Sequence, residues 1–276
     1  MLSSSLIVLN EHGTKTPVFF IAGIGGHVFT FQKLAQLLGP ETPSYGFRAI
    51  GGESGEVPKE RVEDIATAYL AELDARGLTN GPIILCGYSF GGYVAYELAL
   101  RLERRGVPPE LLVFFDVLAP GYPKRLPMHQ RALIHVDEFR KHDLAGKRRY
   151  LTQRLKNVRG RVLMKLGMAE RLAGAADVGA GEFDETRQQE MRTLWGALAN
   201  AQLQYRPSRT THIPGLLLKA ATTFDWPATR FDDPAHGWGD WLSGSLTVAT
   251  VDGAHLQLFE GKNPETMATA IQHAER

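Results

Sequence analysis

The sequence predicts an α/β fold, with a mainly parallel central sheet flanked by helices and a helical segment inserted late in the chain. Three observations carry this. Short apolar runs alternate with stretches of helical periodicity, the pattern of strands crossing over through helices. One such run, residues 82–86, turns abruptly into a helix at Gly87-Tyr88-Ser89-Phe90-Gly91. Residues 121–208 then break the alternation with helical patterns and no strand.

In chain order, residues 6–9 form a short strand and 10–16 a polar turn. The apolar run 17–22 is a second strand, which enters Gly23-Ile24-Gly25-Gly26 and then the helical pattern 29–38. Residues 45–50 make a further strand, and 62–73 an amphipathic helix that passes through Gly77 and Asn80-Gly81 into Ile83-Ile84-Leu85-Cys86. That run is apolar without interruption, as a strand covered on both faces requires. From Val94 the apolar residues recur through Leu98 and Leu102, and the helix closes on Arg104, Arg105 and Gly106, a basic last turn before a glycine. Leu111-Leu112-Val113-Phe114-Phe115 is a buried strand ending in Asp116. The sheet resumes at 216–220 and 247–251, the latter followed by Asp252-Gly253-Ala254-His255, and Pro264 opens a last helix to His273.

At 276 residues and 43% hydrophobic content, the chain suits one core, hence a single domain over 1–276 with 121–208 as a helical lid inserted in it. The small residues 174–181 would be the lid's joint. A net charge of +1 gives no global attraction to nucleic acid or an acidic membrane. A single cysteine, Cys86, excludes an internal disulfide and reads as a packed small hydrophobe in a reducing compartment. No apolar run approaches the roughly 20 residues of a membrane span, and Met-Leu-Ser-Ser-Ser lacks the features of a signal peptide, so a cytoplasmic protein is expected. Charge is uneven only in the lid, where Lys147, Arg148, Arg149, Arg154 and Lys156 belong to a strongly basic stretch. A solvated helix face accounts for such a run; a dock for an acidic partner or a phosphate is the functional alternative.

The turn at 87–91 has the G-x-S-x-G pattern between strand and helix. Ser89 must adopt a strained backbone so that its hydroxyl projects above the sheet, with Gly87 and Gly91 leaving room for the close approach. The helix behind it aims its free N–H groups at the place where an oxyanion would form. Gly51-Gly52-Glu53-Ser54-Gly55 lacks that spacing and reads as a loop. The glycine-rich loop 23–26 lacks both phosphate-binding spacings, and with an activated serine elsewhere it reads as an oxyanion loop in which the N–H of Ile24 joins that of Phe90. Three strand ends thus offer Ser89, Asp116 and His255, the chain order of an α/β-hydrolase. His255 would act as general base and then acid, and Asp116 would hold its tautomer and stabilise the imidazolium. Asp252 is the alternative orienting carboxylate. Of the other histidines, His27 lies beside the oxyanion loop, His129, His135 and His142 lie in the lid, and His212 and His236 lie in loops. None has metal-ligand spacing, so no metal is expected.

Several segments together resemble the type I thioesterase domains of nonribosomal peptide synthetases and polyketide synthases. They are residues 18–26, Gly87-Tyr88-Ser89-Phe90-Gly91-Gly92, Phe115-Asp116-Val117-Leu118-Ala119-Pro120, Asp233-Pro234-Ala235-His236-Gly237-Trp238 and Asp252-Gly253-Ala254-His255. Position 236 is commonly apolar in such domains, and the loop at 23–26 lacks their proline pair; neither departure touches a triad position. The resemblance implies an α/β-hydrolase fold and an acyl chain delivered as a thioester on the phosphopantetheine of a carrier domain, upstream in the same megasynthase. The chain passes to Ser89 and leaves as a free acid, macrolactone or lactam. No permanently bound cofactor is implied, and Gly23, His27, Tyr88 and Pro120 are expected along the substrate pocket, with Lys147, Arg148 and Arg149 toward the carrier. A free-standing editing thioesterase, another serine esterase and a non-catalytic protein of the same fold are the rival readings.

Overall fold

The strands are β1 (Leu6–Asn10), β2 (Val18–Ile21), β3 (Ser44–Phe47), β4 (Ile84–Tyr88), β5 (Leu111–Phe115), β6 (Lys124–Arg125), β7 (Gly215–Thr222), β8 (Thr229–Arg230) and β9 (Leu246–Ala254); all but β6 and β8 form where the apolar runs lie, and β6 falls in the stretch 121–208 expected to hold no strand. The helices between them are α1 (Gln32–Leu38), α2 (Val62–Ala75), α3 (Gly91–Arg104), α4 (Met128–Lys141) and α5 (Glu185–Gln204), and α6 (Asn263–Ala274) follows β9. The computed structural model describes residues 4–53, 55–141, 143, 146–152, 155, 158, 159, 185–222, 229, 230 and 232–275. The expected joint at 174–181, and His142, Arg154 and Lys156, lie outside the described residues.

Seven strands make one sheet in the order β1-β3-β2-β4-β5-β7-β9. All neighbours run parallel except the edge pair β1 and β3. The alternation of side chains along each strand divides the core into two layers. Phe19 and Ile21 of β2, Leu85 of β4, Leu112 and Phe114 of β5 and Leu217 of β7 face α2, α3 and α5. Val18, Phe20, Ile84, Cys86, Val113, Phe115, Leu216 and Leu218 face α1 and α6. Cys86 is therefore a wholly buried hydrophobe, and burial pushes its thiol well above its ordinary range.

Between β5 and β7 the described residues contribute α4, the helical residues 146–152, α5 and the strand β6. Leu194, Leu198 and Ala201 of α5 pack into the core beside Phe90 and Tyr93. Two features lack a sequence signal. β6 and β8 form a two-stranded antiparallel ribbon of two residues each, too short for any periodicity. Arg48 is buried with its guanidinium forked onto Glu56 at 2.7 and 2.8 Å, and Glu56 also accepts the N–H of Gly51, which holds its carboxyl down at about 2. The described residues of 51–55 thus lie in the loop the sequence predicts, tied at one end by Glu56 and held by Arg187 of α5, which donates to the Gly52 carbonyl.

Candidate active site

The bend after β4 has the strain its sequence requires: Ser89 has φ 53, in the left-handed region that a side chain disfavours. It is held there by its N–H, which donates to the Phe115 carbonyl of the next strand at 3.2 Å. A Cβ on Gly87 would lie 2.4 Å from the Gly92 Cα, and one on Gly91 would lie 2.2 Å from the Ile21 carbonyl oxygen. Both positions are closed to any side chain. Gly91→Ala should therefore cost about 1–3 kcal/mol, because the only relief is to push β2 off β4. Urea denaturation checks this, and a variant as stable as wild type would mean that the bend is softer than its contacts indicate.

Loop 23–26 lies against the serine. Gly23 is so close that a Cβ there would lie 3.4 Å from the Ser89 Cβ, and the Gly26 N–H closes a turn onto the Gly23 carbonyl at 2.9 Å. Phe90 begins α3 with helical angles. Among the described residues neither the amide of Ile24 nor that of Phe90 donates to a backbone carbonyl. His27 is exposed, outside this turn, with its ring folded back toward Gly25.

Asp116 follows β5 with φ 49, and its N–H donates to the Leu218 carbonyl of β7 at 2.8 Å. The carboxylate is buried and both oxygens are used: Oδ1 accepts the Ala220 N–H at 2.9 Å, and Oδ2 stands 2.7 Å from His255 Nδ1. Burial works against the charge, but the hydrogen bonds from His255 and Ala220 prevail and hold the carboxyl below its usual range. His255 reaches this acid because β9 slips register against β7 between the pairs Ala220↔Val251 and Thr222↔Ala254. The additional residue is accommodated with Gly253 at φ 86, a bulge that redirects the end of the strand. Asp252 is exposed, and its backbone carbonyl accepts Asn263 Nδ2.

Tyr88, expected along the substrate pocket, is engaged with His255. The two rings stack with centroids 5.0 Å apart, and the phenol donates to the His255 carbonyl at 2.9 Å. Burial pushes that phenol up to about 12, so it remains a donor. Phe259 closes the edge of the stack against Tyr88, Phe115 and Phe31. Pro120 lines a cavity of about 290 Å³ together with Tyr122, Asp233 and Gly237. A larger cavity, about 480 Å³, lies between the loop at 51–58 and α5; Ser89, Asp116 and His255 line neither. Arg148 and Arg149 are exposed, while Lys147 is half-buried with its ammonium 5.6 Å from the centre of the Phe139 ring. Among the described residues no cluster of histidine, cysteine or carboxylate side chains is arranged to hold a metal, and no helix is long and apolar enough to cross a membrane.

A mostly parallel sheet flanked by helices, with a strained serine where the central strand enters a helix, is an α/β-hydrolase fold. The chain belongs to the thioesterase domain family, which matches residues 16–274. It is 39% identical over 101 residues to the nonribosomal peptide synthetase btyA of Aspergillus terreus, covering 37% of this chain and 11% of that one. A longer match, 26% identical over 266 residues, joins it to the atromentin synthetase greA of Suillus grevillei, with 92% of this chain and 26% of that one covered. The chain spans only 8% to 26% of the length of curated relatives of this kind. Among solved structures, the NocB thioesterase domain in covalent complex with a fluorophosphonate nocardicin G analog is similar at a TM-score of 0.64 and 22% identity, over 98% of this chain and 99% of that one.

Proposed function

We propose that this thioesterase domain releases an acyl, peptidyl or polyketide chain from a carrier domain through an ester on Ser89. The observation that carries the reading is the Asp116–His255 hydrogen bond of 2.7 Å, made from the ends of β5 and β9, with the strained serine at the end of β4, the neighbour of β5. Ser89 Oγ attacks the thioester carbonyl while its proton passes to His255, and Asp116 stabilises the imidazolium. The oxyanion accepts the amides of Ile24 and Phe90, which no backbone carbonyl among the described residues occupies. The carbon–sulfur bond then breaks, and the phosphopantetheine thiol leaves with the proton from His255. In the second half a water, or a hydroxyl or amine of the chain itself, gives its proton to His255 and attacks the Ser89 ester, giving an acid, a macrolactone or a lactam. The protein needs no cofactor of its own, because the phosphopantetheine arrives with the substrate.

The test is a carrier domain loaded with acyl-phosphopantetheine and followed by mass spectrometry. A free acid or cyclic product supports the reading, and a carrier left fully loaded overturns it. Rapid clearance of acetyl in preference to long chains would instead indicate a free-standing editing enzyme.

In this reading the described helices between β5 and β7 form a lid over the site, and the exposed Arg148 and Arg149 steer the acidic carrier and its phosphodiester. Such attraction acts on association and is screened within about 10 Å at 0.1 M salt. Arg148→Glu with Arg149→Glu should raise KM severalfold for the carrier-bound substrate at low salt, leave kcat little changed, and leave a small thioester without phosphate unaffected. Equal losses on both substrates, or none on either, would return these arginines to the role of a solvated helix face.

A further inference from the structure

The segment that carries Asp116 is clamped by the loop at 233–238. The Ala119 N–H donates to the His236 carbonyl at 2.9 Å, and Trp238 Nε1 donates to the Val117 carbonyl at 2.8 Å. Asp233 stiffens the loop by accepting the N–H groups of Ala235 and Gly237, each at 2.8 Å. At its centre His236 is only 4% exposed, with φ 52, a backbone conformation that the loop imposes on it. Its ring stacks on Tyr122, with centroids 6.1 Å apart.

Among the described residues, His236 Nδ1 is buried without a hydrogen-bond partner. A protonated imidazole has a donor on each nitrogen, and a buried charged donor left unpaired is heavily disfavoured. In this arrangement the ring is therefore uncharged. The charged and titratable groups facing it are Asp116 after β5, Lys219 on β7, Asp233 on its own loop and Tyr122 stacked on it. Burial lowers its proton affinity most, Lys219 adds to that, and Asp116 and Asp233 oppose it, leaving its titration below the ordinary histidine range. The coupling with Asp116 is mutual.

We propose that His236 is a positioning residue for Asp116: an uncharged second imidazole buried in the loop that clamps the Asp116 segment through Ala119 and Val117, which leaves the carboxylate's charge to His255 and releases the clamp once protonated. Each transition state of the proposed reaction makes His255 an imidazolium, and a second positive charge coupled to the same carboxylate weakens the stabilisation that Asp116 supplies. Protonating His236 also requires a partner for Nδ1, which the clamp does not provide, so the Asp116 segment loosens with it. The inference rests on the triad reading given above.

The experiment measures the rate at which a short alkyl fluorophosphonate labels the protein between pH 4 and pH 9, with the labelled residue identified by peptide mass spectrometry. Failure to label Ser89 at any pH overturns the triad reading itself. Given labelling at Ser89, the comparison is with His236→Asn, since asparagine tolerates the left-handed backbone, and with His236→Phe. Each rate is scaled to its own plateau. One pH unit below the His236 midpoint, found by ring NMR, wild type should fall about tenfold below either variant, because only its acid limb contains the second protonation. Acid limbs of identical shape overturn the inference. Should neither variant fold, the NMR midpoint of His236 decides: it must drop in Asp116→Asn, and an unchanged midpoint overturns the inference equally.

Discussion

Replacing Ser89 with alanine is expected to abolish acyl-enzyme formation, with a loss of roughly 10⁵-fold or more in thioester turnover, while the fold survives. The size of the effect follows from the proposed triad: without the Ser89 hydroxyl, His255 and Asp116 have nothing to activate, and what remains is the background from binding and oxyanion stabilisation. The fold should survive because the strain at φ 53 belongs to the bend, which alanine inherits unchanged, and the Ser89 backbone N–H keeps its bond to Phe115. Intact-protein mass after incubation with an acyl thioester reads the outcome directly. A persistent adduct on the alanine variant would place the nucleophile elsewhere.

Asp116→Asn should slow turnover by roughly 10³- to 10⁴-fold, because an amide beside His255 Nδ1 favours the wrong imidazole tautomer and supplies no charge for the imidazolium. Asp252→Asn is the control, since Asp252 is exposed while Asp116 accepts the 2.7 Å bond. A crippled Asp252→Asn with a near-normal Asp116→Asn would reverse the assignment. Stability should carry a second signature of the same carboxylate. Its folded-state titration lies below the usual carboxylate range, so the charged form stabilises the native state fully above that range, and the contribution is lost as pH falls through the lowered value. The stability difference between wild type and Asp116→Asn should thus be flat at neutral pH and shrink in acid. Urea midpoints at several pH values measure it.

The elements that could be read from the sequence are those whose signal is local. The buried strands announce themselves as unbroken apolar runs, α3 as an apolar face closed by Arg104 and Gly106, and the bend at Ser89 as two glycines framing a serine between the two. The candidate residues Ser89, Asp116 and His255 were legible for the same reason, each standing at the end of a run that had to be a strand. The ribbon of β6 and β8 was not, because two residues a side carry no period. Nor was the engagement of Tyr88 with His255, a contact across 167 residues. His236 looked like one loop histidine among several; its burial depends on Trp238 stacking on Phe114 at 3.9 Å and tying the loop down to Val117.

The sequence by itself determined the α/β class, the strand that bears the serine and the short list of groups able to act on it, since hydrophobic period and turn chemistry act between near neighbours. Only the tertiary structure decided which acid meets His255. Asp252 is three residues away along the chain and Asp116 is 139, yet the hydrogen bond goes to Asp116. The cause is the sheet: parallel pairing of β5 with β7 sets Asp116 against Leu218 and Ala220, and the bulge at Gly253 turns the end of β9 toward the same place. Strand order and register are fixed by the packing of the two core layers together, and no stretch of sequence contains that information alone.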